Sequence, residues 1–310
     1  MATKYVGLNR LLKLLILIFC IVFLWLKLDA SHRNLFLLFQ QFENSVITSY
    51  QLTLFILVLM PINWSIEAWK WKLLTNRVSV LNFQDALKGV VVGLGLGSFT
   101  PYGIGDYFGR IGLMLNSDRK RLLGPLLLGR MLQLLVTLLF GIYGVGYFFG
   151  VTYLAYTCAI IMCAVIFFLI LRGILQVNFH SGLSKRLKVY FGLIQDFTPN
   201  EIVRVFCISF LRYLVFGFQF FLALHIFLSQ TNTQLKMAGI TWVFLAKSII
   251  PTFNFLSDLG VREVSAVFFY EKFSIEAEPV ILASLLVWLI NLLLPIVISW
   301  PLIFKLRLIR

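Results

Sequence analysis

SFTPYGIGDYFGR (98–110) and IPTFNFLSDLGVRE (250–263) interrupt otherwise apolar sequence in the same way, each with Pro, Gly and an acid/Arg pair. At membrane depth such residues are costly unless they line a cavity, because lipid satisfies neither charge nor free backbone groups. Matched interruptions in two halves of a membrane protein point to a transport-type site.

The surrounding sequence fixes the medium. Hydrophobic residues make up 60% of the 310, charged residues 13%, and Phe alone fills 31 positions. A soluble domain could not cover that much apolar surface. Several stretches reach the roughly 20 apolar residues a bilayer crossing needs. The expected fold is therefore an all-α polytopic integral membrane protein. The net charge of +14 does not indicate nucleic acid, because Lys and Arg fall in short clusters between apolar spans. That pattern serves topology and contact with anionic lipid.

Cys20, Cys158, Cys163 and Cys207 lie inside apolar spans without metal-ligand spacing, and His32, His180 and His225 show no ligand pattern. Neither a metal nor another cofactor is expected. The first apolar span, 11–28, has no small-residue cleavage site before Asp29 and reads as a retained helix.

Charge order gives the topology. Lys4, Arg10 and Lys13 place the N-terminus in the cytoplasm, and span two, from about 51 to 69, returns to Lys70, Lys72 and Arg77. Asn63, Trp64 and Glu67 read as its polar, interface-anchored end, with Trp64, Trp69 and Trp71 as interface anchors. Region 83–116 then has cytoplasmic signals on both flanks, the second being Arg119, Lys120 and Arg121. Its arms, 84–98 and 106–116, are too short to cross, so a re-entrant hairpin is expected, with Pro101, Gly103 and Gly105 at its tip.

Span three (124–147), span four (151–171), a basic stretch at 173–204 broken by Pro199, and span five (205–228) follow. Region 236–273 repeats the pattern from the external side, with arms 237–250 and 261–272 and a tip running from Pro251 to Gly260. A last span, 279–303, ends at Lys305, Arg307 and Arg310, putting the C-terminus in the cytoplasm. The whole of 1–310 thus reads as one membrane domain of about six full spans and two re-entrant hairpins. Its halves, 51–147 with hairpin 83–116 and 205–303 with hairpin 236–273, form an inverted-topology repeat whose tips meet near the midplane.

The candidate substrate residues follow from charge at depth. Asp106 and Arg110 are one helical turn apart and share a face, and Arg262 with Glu263 holds the corresponding place after the second tip. These pairs either neutralise each other or hold a phosphate through the planar guanidinium fork. Arg130 and Lys247 are further cavity candidates, Asp258 is the acid that would balance one of them, and Arg212 either faces the interior or snorkels. An excess of cations over acids favours an anionic substrate. Gly93, Gly95 and Gly97, and Gly141, Gly144 and Gly146, read as helix-packing positions.

At these motifs the chain resembles the lysylphosphatidylglycerol synthase transmembrane family, also called the flippase-like domain family. The resemblance runs from about 11 to 304 and rests on NWSIEAWKWKLL (63–74), Pro101 to Arg110, Gly129-Arg130, and Gly260-Val261-Arg262-Glu263. Asp106 stands where a Glu is commoner, which keeps the charge and shortens the reach. In well-understood members this domain moves an aminoacylated phospholipid between leaflets and a separate soluble domain makes it. The 310 residues hold no aminoacyl-transferase domain, so the expectation is the translocase half.

The expected function is translocation of a phospholipid or other lipid-linked anionic or zwitterionic headgroup, without enzymatic turnover, in the cell membrane. Its expected partners are membrane lipids and a separate lipid synthase, with no nucleic acid. Two other readings stand beside it: an intramembrane enzyme using Asp106 or Glu263 as acid or base, and a non-transporting subunit that positions a synthase.

Overall fold

The computed structural model describes residues 35–100, 103–112, 121–151, 192–250 and 255–303, with four isolated positions between 155 and 162. Expected span one, nearly all of span four, most of the basic stretch, Pro101 and Pro251 lie outside the described residues. The described residues form helices and no strand. A short amphipathic helix, α1 (Leu35–Thr48), precedes α2 (Tyr50–Thr75). Helices α3 (Phe83–Ser98) and α4 (Ile104–Gly112) form the first hairpin, followed by α5 (Leu123–Phe149). Helix α6 (Pro199–Phe227) leads to a second hairpin of α7 (Thr233–Ile249) and α8 (Phe255–Glu271). Helix α9 (Ala277–Trp288), a π-helical turn (Leu289–Leu293) and α10 (Leu294–Ile303) complete the described residues.

Four of these are long and apolar enough to cross a membrane: Tyr50–Thr75, Leu123–Phe149, Pro199–Phe227 and the continuous run Ala277–Leu302. At 1.5 Å per residue each is about 40 Å long, against a hydrocarbon core of about 30 Å. They coincide with expected spans two, three, five and last. The chain is a multi-pass membrane protein.

Local chemistry sets the boundaries. Thr198 and Glu201 form a capping box at the start of α6 with Pro199 in its first turn, so Pro199 begins a helix that runs into the apolar span. Asn82 caps α3 by accepting from the Asp85 amide at 2.8 Å. Gly150 ends α5 in the left-handed conformation, at φ 67°.

The first hairpin is held by close backbone contact. A Cβ on Gly109 would lie 2.6 Å from the Gly93 backbone, and one on Gly105 would lie 2.2 Å from the Leu96 carbonyl oxygen. Gly103, at φ 63°, turns the chain into α4. In the second hairpin, Tyr270 donates to the Lys236 carbonyl at 3.2 Å and Trp242 to the Ser265 carbonyl at 3.1 Å. Both arms are 17 residues long, exceeding the expected 237–250 and 261–272. Gly260 is consequently buried inside α8 and does not form the tip, and Asp258 falls in the first turn of that helix.

Helices from the two hairpin regions interlock. Helix α5 packs on α7, α10 packs on α3, and α2 packs on α6. Gly144 of α5 admits the α7 backbone: an added Cβ would lie 2.6 Å from the Trp242 nitrogen. Phe148 stacks on Trp242 at 4.6 Å, and Lys272 donates to the Phe148 carbonyl, closing the end of α5.

Candidate functional site

On α2, Asn63, Glu67, Lys70, Trp71 and Leu74 fall on one stripe at spacings of three, four and one, and all are buried. This corrects the sequence reading of Trp64 and Trp71 as interface anchors, since both face the protein interior. Trp71 is fully buried and Trp64 nearly so, leaving Trp69 as the exposed Trp of the three. Lys70, read as a cytoplasmic exit signal, is 3% exposed.

Glu67 is the centre of the site. One carboxylate oxygen accepts from Arg110 at 2.8 Å, and the other lies 2.7 Å from the Lys70 ammonium and 3.1 Å from the Arg212 guanidinium. Arg110 is held at both edges, because its Nε donates to Asp106 at 2.7 Å while its terminal nitrogen reaches Glu67. The Trp71 ring lies 5.7 Å from its guanidinium carbon. Arg130 of α5 binds the other Asp106 oxygen at 3.0 Å and the Gly103 carbonyl at 3.1 Å, tying α5 to the start of α4. Gln133 accepts from Lys70 at 3.4 Å and donates to the Ser209 carbonyl at 3.3 Å, and Arg212 donates to Asn63 at 3.1 Å.

The first hairpin positions this network through its glycines. Added Cβ atoms on Gly93 and Gly97 would lie 2.3 and 3.2 Å from the Asp106 side chain. The expected packing role of these two glycines therefore includes giving the carboxylate room. Burying so many charges is costly unless each finds partners, and the alternation of acid and base supplies them.

A cavity of about 400 Å³ opens onto the cluster. Its charged lining is Lys70, Arg110, Arg130 and Arg212 against Glu67 and Asp106, four cations to two acids. The cations differ in access: Arg110 is 5% exposed, whereas the side chains of Arg212 and Arg130 are 29% and 44% exposed. A second cavity of about 230 Å³ adjoins it and is lined by Lys247.

The structure thus brings Asp106, Arg110 and Arg130 together and sets Lys247 on the neighbouring cavity. Arg262 and Glu263 are buried elsewhere, where Glu263 accepts from Ser284 at 2.7 Å, and neither lines these two cavities. Glu67 and Arg212 were not among the site residues expected from sequence. The i, i+4, i+7 spacing of Asn63, Glu67 and Lys70 carried a signal for Glu67. Arg212 had only its position inside a span.

Residues 8–299 match the family model described as the lysylphosphatidylglycerol synthase TM region. The chain belongs to this family. It is accordingly a membrane protein related to lipid synthesis or flipping. The comparisons with curated proteins and with solved structures return no match. Within the span of the lysylphosphatidylglycerol synthase TM match, segment 63–74 supplies Asn63, Glu67, Lys70 and Trp71, and Gly129 lets Leu74 of α2 approach α5 beside Arg130. A Cβ at Gly129 would lie 2.6 Å from the Leu74 side chain.

Proposed function

We propose that this protein is a lipid translocase rather than an enzyme, and that it carries a phospholipid or other lipid-linked headgroup bearing a phosphate. The carrying observation is the cation excess of the 400 Å³ cavity, where four basic side chains meet two carboxylates. An anionic phosphate entering this space relieves an electrostatic imbalance. A headgroup with net positive charge would add to it.

The basic residues divide the work. Arg110, clamped by Asp106 and Glu67, is a fixed positive post; Arg130 and Arg212, more open to the cavity, make the first contacts with phosphate oxygens. Re-entrant hairpins let the headgroup pass through polar space while the acyl chains stay in lipid. The interlocking of α5 with α7 and of α10 with α3 supports two inverted halves that rock against each other. The termini in this reading are cytoplasmic and the membrane is the cell membrane.

The test is leaflet exchange. Purified protein in vesicles should move headgroup-labelled phosphatidylglycerol from the inner leaflet, as read by loss of protected label when a membrane-impermeant quencher is added. Vesicles in which phosphatidylglycerol, phosphatidylcholine and an isoprenoid phosphate all stay in their leaflets would refute the reading.

A further inference from the structure

We infer a binding site for an anionic phospholipid in the groove on the outer face of α2, with the phosphate on Lys72 and Trp69 and an acyl chain lying between Ile62 and Phe83. The site is separate from the charged cavity and does not depend on the proposed transport.

Helix α2 carries two stripes of opposite character. Asn63, Glu67, Lys70, Trp71 and Leu74 form the buried one. Ile62, Ser65, Ile66, Trp69 and Lys72 follow one another at spacings of three, one, three and three, which keeps them together on roughly the opposite side of the helix. These five and Phe83, from the start of α3, line an open groove of about 410 Å³. That lies within the range of about 300–1,000 Å³ for small-molecule sites. Ile62, Trp69 and Phe83 are exposed, and beside a membrane-spanning helix the medium that meets them is lipid.

The donors of the groove are free to take a ligand. Lys72, in the last turn of α2, accepts from Thr75 through its backbone carbonyl, whereas its ammonium makes no hydrogen bond or ion pair among the described residues. Acids at this end of α2 pair with other cations: Asp85 lies 3.5 Å from Lys88, and Glu201 lies 2.6 Å from Arg77. The Trp69 indole N–H has no acceptor among the described residues. Ser65 donates to the Pro61 carbonyl at 2.8 Å, so Lys72 and Trp69 are the donors left for a headgroup.

Such a groove selects the headgroup rather than the chain. An acyl chain gains little by entering it, because the rest of the bilayer is equally apolar. A phosphate gains a charge-assisted hydrogen bond from Lys72 and an indole N–H beside it. The positive-inside pattern puts this end of α2 at the cytoplasmic leaflet, where anionic lipids concentrate. A lipid seated between Trp69 and Phe83 bridges α2 to the first arm of the hairpin, on the side of α2 away from Glu67.

Trp69 reports the site directly. The full chain is reconstituted in phosphatidylcholine vesicles in which a minor share of the lipid is phosphatidylglycerol with brominated chains, which quench tryptophan on contact. The same share of brominated phosphatidylcholine is the reference, and the quenching lost on Trp69→Phe is the Trp69 signal. Wild type should take phosphatidylglycerol at Trp69 about tenfold more strongly than phosphatidylcholine, the worth of a charged hydrogen bond. Lys72→Gln should take the two about equally, and Lys72→Arg should behave as wild type. Ser65→Phe fills the groove and should remove the preference with Lys72 still in place. Circular dichroism and gel filtration check that each variant is folded. Equal quenching by the two lipids in wild type overturns the site, as does a preference that survives Lys72→Gln. A preference that survives Ser65→Phe would show that the ammonium acts on the leaflet at large, and would overturn the groove as its seat.

Discussion

Glu67 on α2 and Arg110 on α4 are 43 positions apart in sequence and 2.8 Å apart in space, with side chains 7% and 6% exposed. Their contact fastens the first hairpin to a membrane-spanning helix. Glu67 also serves Lys70 and Arg212, so its loss takes a carboxylate from three cations at once, of which Arg110 alone keeps another, Asp106. Glu67→Gln is expected to cost about 3–5 kcal/mol, the range for breaking a buried ion pair from one side. Thermal unfolding in detergent checks it, and a midpoint within a degree or two of wild type would refute the central role of Glu67.

Arg130 makes the opposite prediction. Its side chain is 44% exposed and its bond to Asp106 is 3.0 Å, so solvent screens the pair. Arg130→Gln should cost less than about 1 kcal/mol in stability. The same substitution should reduce leaflet exchange strongly, because it removes the cation most accessible to a phosphate. Equal losses of stability and transport would make Arg130 a structural residue only.

Arg110→Lys tests geometry at constant charge. The guanidinium meets Asp106 through Nε and Glu67 through a terminal nitrogen, at 2.7 and 2.8 Å. A lysine ammonium is a point charge on a flexible stem and cannot hold both carboxylates in that fixed fork. The expected outcome is a destabilised hairpin and slowed exchange despite the retained charge. Unchanged unfolding and transport would show that Arg110 supplies charge alone.

The glycines of the hairpin differ in what they tolerate. Gly109→Ala places a methyl 2.6 Å from the Gly93 backbone, which cannot move aside without separating α3 from α4. Overpacking of this kind costs about 1–3 kcal/mol. Gly217→Ala, on α6, meets its nearest side-chain atom at 3.9 Å. It should be neutral, or stabilising by about 0.5–1 kcal/mol, since alanine is the better helix former. Paired thermal melts of the two variants read the difference directly.

Much of this was legible in the sequence, and the reason differs by feature. Asp106 and Arg110 pair as their four-residue spacing requires, because both lie on one short helix and local geometry decides. Long apolar runs marked the spans because lipid imposes length. Glu67 was read as an interface residue because Trp and Lys flank it, and these usually mark the membrane surface. Here Glu67, Lys70 and Trp71 line the inward stripe of α2, and tertiary partners on α4 and α6 decide the place of Glu67. The bond between Arg212 and Asn63 spans 149 positions, a pairing that no local pattern specifies. The second tip was read as running from Pro251 to Gly260, but α8 begins at Phe255, so Gly260 lies buried within that helix.

Sidedness of the hairpin flanks tests the re-entrant reading that the translocation path requires. With the native cysteines replaced, Val80→Cys and Arg121→Cys flank the first hairpin, and Gln230→Cys and Glu276→Cys flank the second; all four positions are exposed. A re-entrant hairpin begins and ends on one side of the bilayer, so each pair must share its labelling. The positive-inside pattern puts the first pair in the cytoplasm, where Lys72, Arg77 and Arg121 cluster, and the second pair outside, where Glu276 and Glu278 follow the hairpin. Membrane-impermeant maleimide on intact cells should therefore label Gln230→Cys and Glu276→Cys, and label Val80→Cys and Arg121→Cys only after the membrane is opened. Opposite-side labelling within either pair would mean that its helices cross the bilayer. The two cavities would then lie along a conventional bundle, and the passage of a headgroup between inverted hairpins would no longer stand.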